Sequence, residues 1–110
     1  MKNTSEIIFK ISLDENQVPE KIEWSAEGSE KSGLSESKSI MIALWDEKEN
    51  NTMRIDLWTK DMMVDEMKKF CSQNLITMAD AFERATGEKK IAVDIREFGK
   101  QIALKMGVLK

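Results

Sequence analysis

The chain has 110 residues, 41% of them apolar and 34% charged, a balance that supports one globular domain and not a disordered segment. Seventeen Lys and Arg stand against twenty Asp and Glu, for a net charge of −3. No basic block is large enough to neutralise a run of phosphates, which argues against a nucleic-acid partner. Cys71 is the only cysteine and there is no histidine, so an intrachain disulfide and a Cys/His zinc site are both excluded.

The opening MKNTSEIIFK is too short in its apolar run, and too alternating, for a secretory signal. No window approaches the roughly 18 continuous apolar residues of a membrane span. The expectation is a soluble, cytoplasmic protein with no membrane span and no cofactor.

Ser5 to Leu13 alternates, with Ile7, Phe9, Ile11 and Leu13 on one face and Glu6, Lys10 and Ser12 on the other. Successive side chains of a strand point to opposite faces, so this is the pattern of a half-buried strand, here over about 5–13. Ile8 is the one apolar residue on its polar face. Asp14-Glu15-Asn16 is a turn cluster, and Pro19 precedes a second alternating strand, about 20–26, with Ile22, Trp24 and Ala26 in phase. The short connection predicts an antiparallel hairpin. Glu27 to Lys38 is polar, with two glycines and four serines around Leu34, and reads as a surface loop.

A third strand, about 39–46, is apolar at both parities from Ile40 to Trp45, as expected where both faces are covered or one is a contact surface. The turn DEKENN leads to a fourth strand, about 52–59. There Met53, Ile55 and Leu57 alternate against Arg54, Asp56 and Trp58. Asp61 is the expected cap of a long helix, about 62–86, whose first turn carries Asp65 and Glu66 where the helix dipole favours negative charge. Met67, Phe70, Cys71, Leu75, Met78, Phe82 and Ala85 recur at helical spacing, and Gly87 ends the run. A second helix, about 88–106, repeats the pattern with Ile91, Ile95, Phe98, Ile102 and Met106. Strands followed by helices predict an α+β fold: one four-stranded antiparallel sheet of two hairpins, then two α-helices packed on one of its faces, in a single domain over 1–110.

The chemistry available is narrow. Without histidine, no Ser-His-Asp or Cys-His arrangement can form within one chain. Cys71 falls on the predicted buried face in mid-helix, where a free cysteine behaves as a small hydrophobe. DEKENN fails the calcium-loop pattern, with Lys48 at the third ligand position and Leu57 at the twelfth. Gly28 and Gly33 follow neither dinucleotide nor P-loop spacing. No catalytic, metal or cofactor-binding residue is therefore assigned, and the chain is not expected to be an enzyme.

One sheet face stands out, and its tryptophan, Trp58, reads equally as part of a contact surface or as a shield over the backbone packed on Trp45. Trp58 shares strand parity with Arg54 and Asp56, and one parity of the third strand joins them, either Met41, Ala43 and Trp45 or Ile40, Ile42 and Leu44. Met62 and Met63 follow at the strand–helix junction. Aromatic residues, methionine and arginine are enriched where protein partners dock. These seven residues, Met41, Trp45, Arg54, Asp56, Trp58, Met62 and Met63, are the candidate partner-binding set. The alternative is a small-ligand binder, or an enzyme working without histidine, with a pocket between the sheet and the Gly28–Gly33 loop.

RIDLWTKDM, followed by VDEMKKF and FERATG, resembles the gliding-motility accessory protein GldC family of the Bacteroidetes, with VPEKIEW (18–24) and ALWD (43–46) extending the similarity through most of the chain. Met63 stands where that family is expected to carry proline. The resemblance implies a cytoplasmic accessory component of gliding motility, with no catalytic residues to carry over. Its expected partner is a protein, other gliding-motility components among them, or a second copy of the chain.

Overall fold

The structure, a computed structural model, describes residues 3–28 and 33–108. The chain divides into two compact units, a strand unit over Met1–Met62 and a helical unit over Met63–Lys110.

In the strand unit, β1 (Ile7–Leu13) and β2 (Pro19–Ala26) form an antiparallel hairpin. Its turn is closed by Asp14, whose carboxylate accepts the N–H groups of Asn16 at 2.8 Å and Val18 at 3.0 Å. That bonding holds Gln17 at φ 65°, a left-handed conformation that a non-glycine residue adopts only when its surroundings enforce it. The register sets Ile7 opposite Ala26, Phe9 opposite Trp24 and Ile11 opposite Ile22, which puts the alternating apolar residues of both strands on one face. Ile22 is fully buried.

The structure corrects the expected single sheet. A short strand, β3 (Ser35–Ser37), pairs with β2 and places Ser37 opposite Ile22. After Lys38 the chain continues as β4 (Ser39–Asp46), which pairs instead with β5 (Asn51–Trp58). The result is a three-stranded sheet, β1-β2-β3, and a two-stranded sheet, β4-β5, where one sheet of four strands was expected. The break has a local cause. Ser37 Oγ donates to the Ser39 carbonyl at 2.6 Å and accepts the Ser39 N–H at 3.3 Å, so a side chain bridges the backbone across Lys38 and turns the chain. β3 lies in the stretch read as a loop (27–38), because Ser-Glu-Ser offers no apolar alternation. Residues 29–32 of that loop lie outside the described residues.

In the helical unit, α1 (Val64–Thr86) and α2 (Lys89–Lys105) form an antiparallel pair joined at Gly87 and Glu88. Gly87 takes φ 75° and donates its N–H to the Glu83 carbonyl, closing α1 in the left-handed C-cap that glycine adopts without strain. The helices pair with each other along their length. The residues buried at their contact are small: Ser72 and Ala79 of α1, and Ala92, Gly99 and Ala103 of α2. By contrast, Met78, Ile91 and Phe98, three of the large residues expected to form the buried faces, are exposed. Small side chains let two helices approach closely, and Arg96 locks the approach by donating to Asp80 at 2.8 Å and Glu83 at 2.6 Å.

Gly99 is the tightest point of that contact. A Cβ there would meet Ile76 Cγ1 at 2.9 Å and Leu75 Cβ at 3.4 Å. Gly99→Leu is expected to lower stability by about 1–3 kcal/mol, since the bulk must part the helices. Gly99→Ala should stay within about 1 kcal/mol of the parent, because helix propensity offsets a small shift of the Ile76 side chain. Chemical denaturation of the two variants measures both values, and equal effects would show that the contact is looser than this.

Candidate functional site

The β4–β5 register decides which residues share a face. Pairing Ser39 with Trp58, Met41 with Asp56, Ala43 with Arg54 and Trp45 with Thr52 gathers those eight side chains on one side. The other side carries Ile40, Ile42 and Leu44 against Leu57, Ile55 and Met53. Of the two parities that the sequence left open, it is Met41, Ala43 and Trp45 that join Arg54, Asp56 and Trp58.

Along this face the two tryptophans stand at opposite ends. Trp58 faces Ser39, and Trp45 lies six positions further along β4, about 20 Å away at the rise of a strand. The indoles therefore do not cover each other, and Trp45 is 64% and Trp58 53% exposed. Between them Arg54 makes a two-pronged contact with Asp56, Nε to Oδ2 at 3.1 Å and Nη2 to Oδ1 at 2.9 Å. These hydrogen bonds hold the Asp56 carboxyl below its ordinary pKa and the Arg54 guanidinium above its own. The middle of the face is thus a fixed, neutral ion pair flanked by open indoles. Met62 and Met63 lie beyond this register. Met62 is half-buried and donates its N–H to the Thr59 carbonyl at 3.0 Å, while Met63 is exposed and is the N-cap residue of α1, its N–H donating to Glu66 Oε1 at 2.9 Å. The helix cap is therefore not Asp61, as the sequence suggested.

Asp61 belongs instead to a junction at the base of β5. Thr59 is 3% exposed; its N–H donates to the Lys38 carbonyl at 2.8 Å, and its hydroxyl donates to Asp61 Oδ1. The next residue, Lys60, donates its N–H to the Pro19 carbonyl at 3.1 Å. Its ammonium reaches Asp14 Oδ2 at 2.8 Å and Glu20 Oε1 at 3.5 Å. Sequence reasoning missed Asp14, Thr59 and Lys60. Asp14 and Lys60 lie 46 positions apart, and no periodicity links residues that meet only through strand pairing. The local signal at Thr59 and Lys60 was the end of the strand alternation after Trp58.

Two open recesses, each of about 260 Å³, flank this junction. One is lined by Glu20, Lys21, Glu36, Lys38 and Asp61 among others, the second by Val18, Pro19, Asp56, Leu57, Trp58 and Lys60. The first is not the pocket expected beside the Gly28–Gly33 loop, whose residues 29–32 lie outside the described residues. Its charges are largely engaged already, Lys21 with Glu36 at 3.6 Å and Glu20 with Lys60 at 3.5 Å. Every resolved pKa shift favours the charged form: Asp14, Asp56 and Asp61 lie low, and Arg54, Lys60 and Arg96 lie high. Cys71 is a free thiol, half-buried within α1. Among the described residues, no three His, Cys, Asp or Glu side chains are placed to hold a metal ion, and no helix is long and apolar enough to cross a membrane.

The sequence matches the family described as gliding motility-associated protein GldC-like over residues 19–108. That span takes in the whole β4–β5 face and, of the junction, every residue except Asp14. No curated protein and no solved structure matches the chain.

The junction makes a pH prediction. The hydrogen bonds from the Lys60 ammonium and the Val18 N–H lower the Asp14 carboxyl to about 2. A carboxyl depressed in the folded state contributes stability that is fully present above its ordinary value near 4 and is lost as the pH falls toward about 2. Lys60→Met should therefore melt below the parent near neutral pH. The gap should narrow between about pH 4 and pH 2, followed by thermal melts across that range. A gap that stays constant down to pH 2 would remove Asp14 as Lys60's partner.

Proposed function

The chain belongs to the GldC-like family of gliding motility-associated proteins, and from that premise we propose that it is a non-enzymatic accessory module of the gliding machinery. It docks a protein partner through the β4–β5 face bearing Met41, Trp45, Arg54, Asp56 and Trp58. The observation that carries this reading is the pair of open tryptophans held at the two ends of one strand face with a neutralised Arg–Asp pair between them. Exposing indole to water is unfavourable, and a tryptophan fixed on a sheet loses little further freedom when a partner covers it. The ion pair lets arginine enter a contact without leaving an uncompensated charge behind. Binding energy in such interfaces concentrates on tryptophan and arginine, which are the residues this face presents.

Met62 and Met63, outside the register of that face, are assigned no primary part in docking. The module acts in the cytoplasm, and neither a cofactor nor a metal takes part. The alternative of a small-ligand site gains no support from the polar recess beside Lys38, which is open and has most of its charges paired.

A quantitative pull-down from gliding cells tests the reading, comparing the parent with Trp58→Ala and with Trp58→Ala plus Arg54→Ala. Each variant is first shown to be folded by circular dichroism. One partner should fall selectively, about 30-fold or more for the Trp58 truncation, as for an interface hot-spot tryptophan. Lys48→Ala, at the far turn of the hairpin, should leave recovery unchanged. An unaltered partner set in the folded double variant would make this face structural.

A further inference from the structure

The outer edge of β1 is an unpaired strand edge that carries apolar side chains, as are the outer edges of β4 and β5, but it alone is flanked by an acidic and a basic residue four positions apart, Glu6 and Lys10, neither of which makes an ion pair among the described residues. Among the described residues β1 pairs with β2 alone, and Ile7, Ile8 and Phe9 are 67%, 39% and 41% exposed. Proteins usually blunt such an edge with proline, a mid-strand bulge or a run of charge, since its free N–H and C=O groups template pairing with another strand. None of these devices interrupts Glu6 to Lys10; the only irregularity of the β1–β2 ladder comes later, at Ser12/Leu13.

The phase of that edge can be read from one bond. Glu27 donates its N–H to the Glu6 carbonyl at 3.1 Å, which continues the β1–β2 register by one pair. Backbone groups alternate from side to side along an antiparallel strand. Glu6, Ile8 and Lys10 therefore turn their backbone groups toward β2. Ile7, Phe9 and Ile11 turn theirs outward, to the free edge. Any strand added there must hydrogen-bond to these odd-numbered residues.

We propose that the occupant is a second copy of this chain, whose β1 pairs antiparallel with β1 about a two-fold axis through Ile8. This register sets Ile7 opposite the second copy's Phe9, each exchanging N–H···O bonds as the phase requires. It sets Glu6 opposite the second copy's Lys10, twice by symmetry, so opposite charges meet across the seam. Ile8, the one apolar residue on the polar face of β1, then packs on its own symmetry mate at the axis. Other registers allowed by the phase lose these matches. A centre at Ile7 puts Ile8 against Glu6, a centre at Phe9 puts Ile8 against Lys10, and a centre at Lys10 brings two ammonium groups together. Lys10 is also left available within its own chain. Glu23, its cross-strand neighbour on β2, pairs with Lys21 at 3.7 Å, and among the described residues neither Lys10 nor Glu6 makes an ion pair. The seam would join two three-stranded sheets into one of six strands, β3-β2-β1-β1-β2-β3. Its apolar face would run unbroken from one Trp24 to the other.

This seam is distinct from the β4–β5 docking face, so either can fail without the other. Sedimentation equilibrium on the full chain should give twice the 12.6 kDa chain mass, dissociating on dilution. Glu6→Lys and Lys10→Glu should each weaken self-association at least ~10-fold, because both place like charges opposite each other twice. Mixed in equal amounts, the two variants should pair again, since every facing charge is then complementary. If either variant fails to fold, cross-linking decides. In a Cys71→Ala background, Ile8→Cys should form a covalent dimer under mild oxidation and Ser12→Cys should not. A monomeric mass at every concentration reached would overturn the proposal, as would a dimer whose Ile8→Cys variant does not cross-link or whose charge variants do not recover on mixing.

Discussion

The backbone bonds at Thr59 and Lys60 are the constraint on which the strand unit depends. A single stretch, Ser35 to Asp46, serves two sheets, pairing first with β2 and then, past Lys38, with β5. A chain bent in this way has no ladder of its own at the bend. Something else must bind the two sheets where they part. The Thr59 N–H supplies one tie, to the carbonyl of Lys38 itself, and the Lys60 N–H supplies another, to Pro19 at the start of β2. Proline has no N–H to give, so its place at the end of a strand leaves its carbonyl as the group available for such a tie. Side chains then complete the junction: Ser39 Oγ donates to the Leu57 carbonyl at 3.1 Å, and Lys60 reaches the turn carboxylate of Asp14. Among the described residues, no buried side-chain polar atom is left without a partner, as a junction built from polar groups requires.

Such a junction matters because a lone two-stranded hairpin is marginal in water. Among the described residues β4–β5 has no third strand to lean on, and large apolar side chains are open on both of its sides, Trp45 and Trp58 on one and Leu44, Met53 and Ile55 on the other. Fixing its base to β2 and to the Lys38 bend lets the hairpin keep its register while its faces stay available. The turn at its far end contributes too, with Asn50 at φ 57° and its N–H on the Asp46 carbonyl at 2.8 Å. Rigid at both ends and open in between, the hairpin presents its side chains with little freedom left to lose.

How much of this could be read from sequence follows from the range of each interaction. Period-two alternation marked Ile7–Leu13 and the Arg54/Asp56/Trp58 parity, because it records which side of a strand each residue takes. Glycine marked the end of α1 for an equally local reason. β3 escaped because Ser-Glu-Ser earns its place through hydrogen bonds to β2 and not through burial. The single sheet was wrong because the bend at Lys38 is made by a serine hydroxyl, which carries no hydrophobic signature. In the helices, periodicity identified the elements and placed Leu75 at their contact, but it also assigned Met78, Ile91 and Phe98 to buried faces, and these are exposed. It weights large residues, whereas Gly99 and the alanines beside it set the closest approach. The candidate face was legible as a set of parities, and only the register could say which parity of β4 joined it.

The stretch from Arg54 to Asp61 looks like one motif, but its halves serve different physics. Arg54, Asp56 and Trp58 alternate outward on a strand face, where their chemistry is available to a partner and their pairing adds little to folding. Thr59, Lys60 and Asp61 abandon that alternation as β5 ends, and their groups turn to bonds within the unit, through a buried threonine and backbone N–H groups aimed at Lys38 and Pro19. The contiguity has a geometric reason. The docking proposed for this face needs the hairpin to keep its shape, which is best secured by fixing the strand immediately next to Trp58, and Thr59 is its neighbour along the chain. Changes in the first half should therefore act on association, and changes in the second on the register through which the first half is presented. On this view the motif is a surface together with its own anchor.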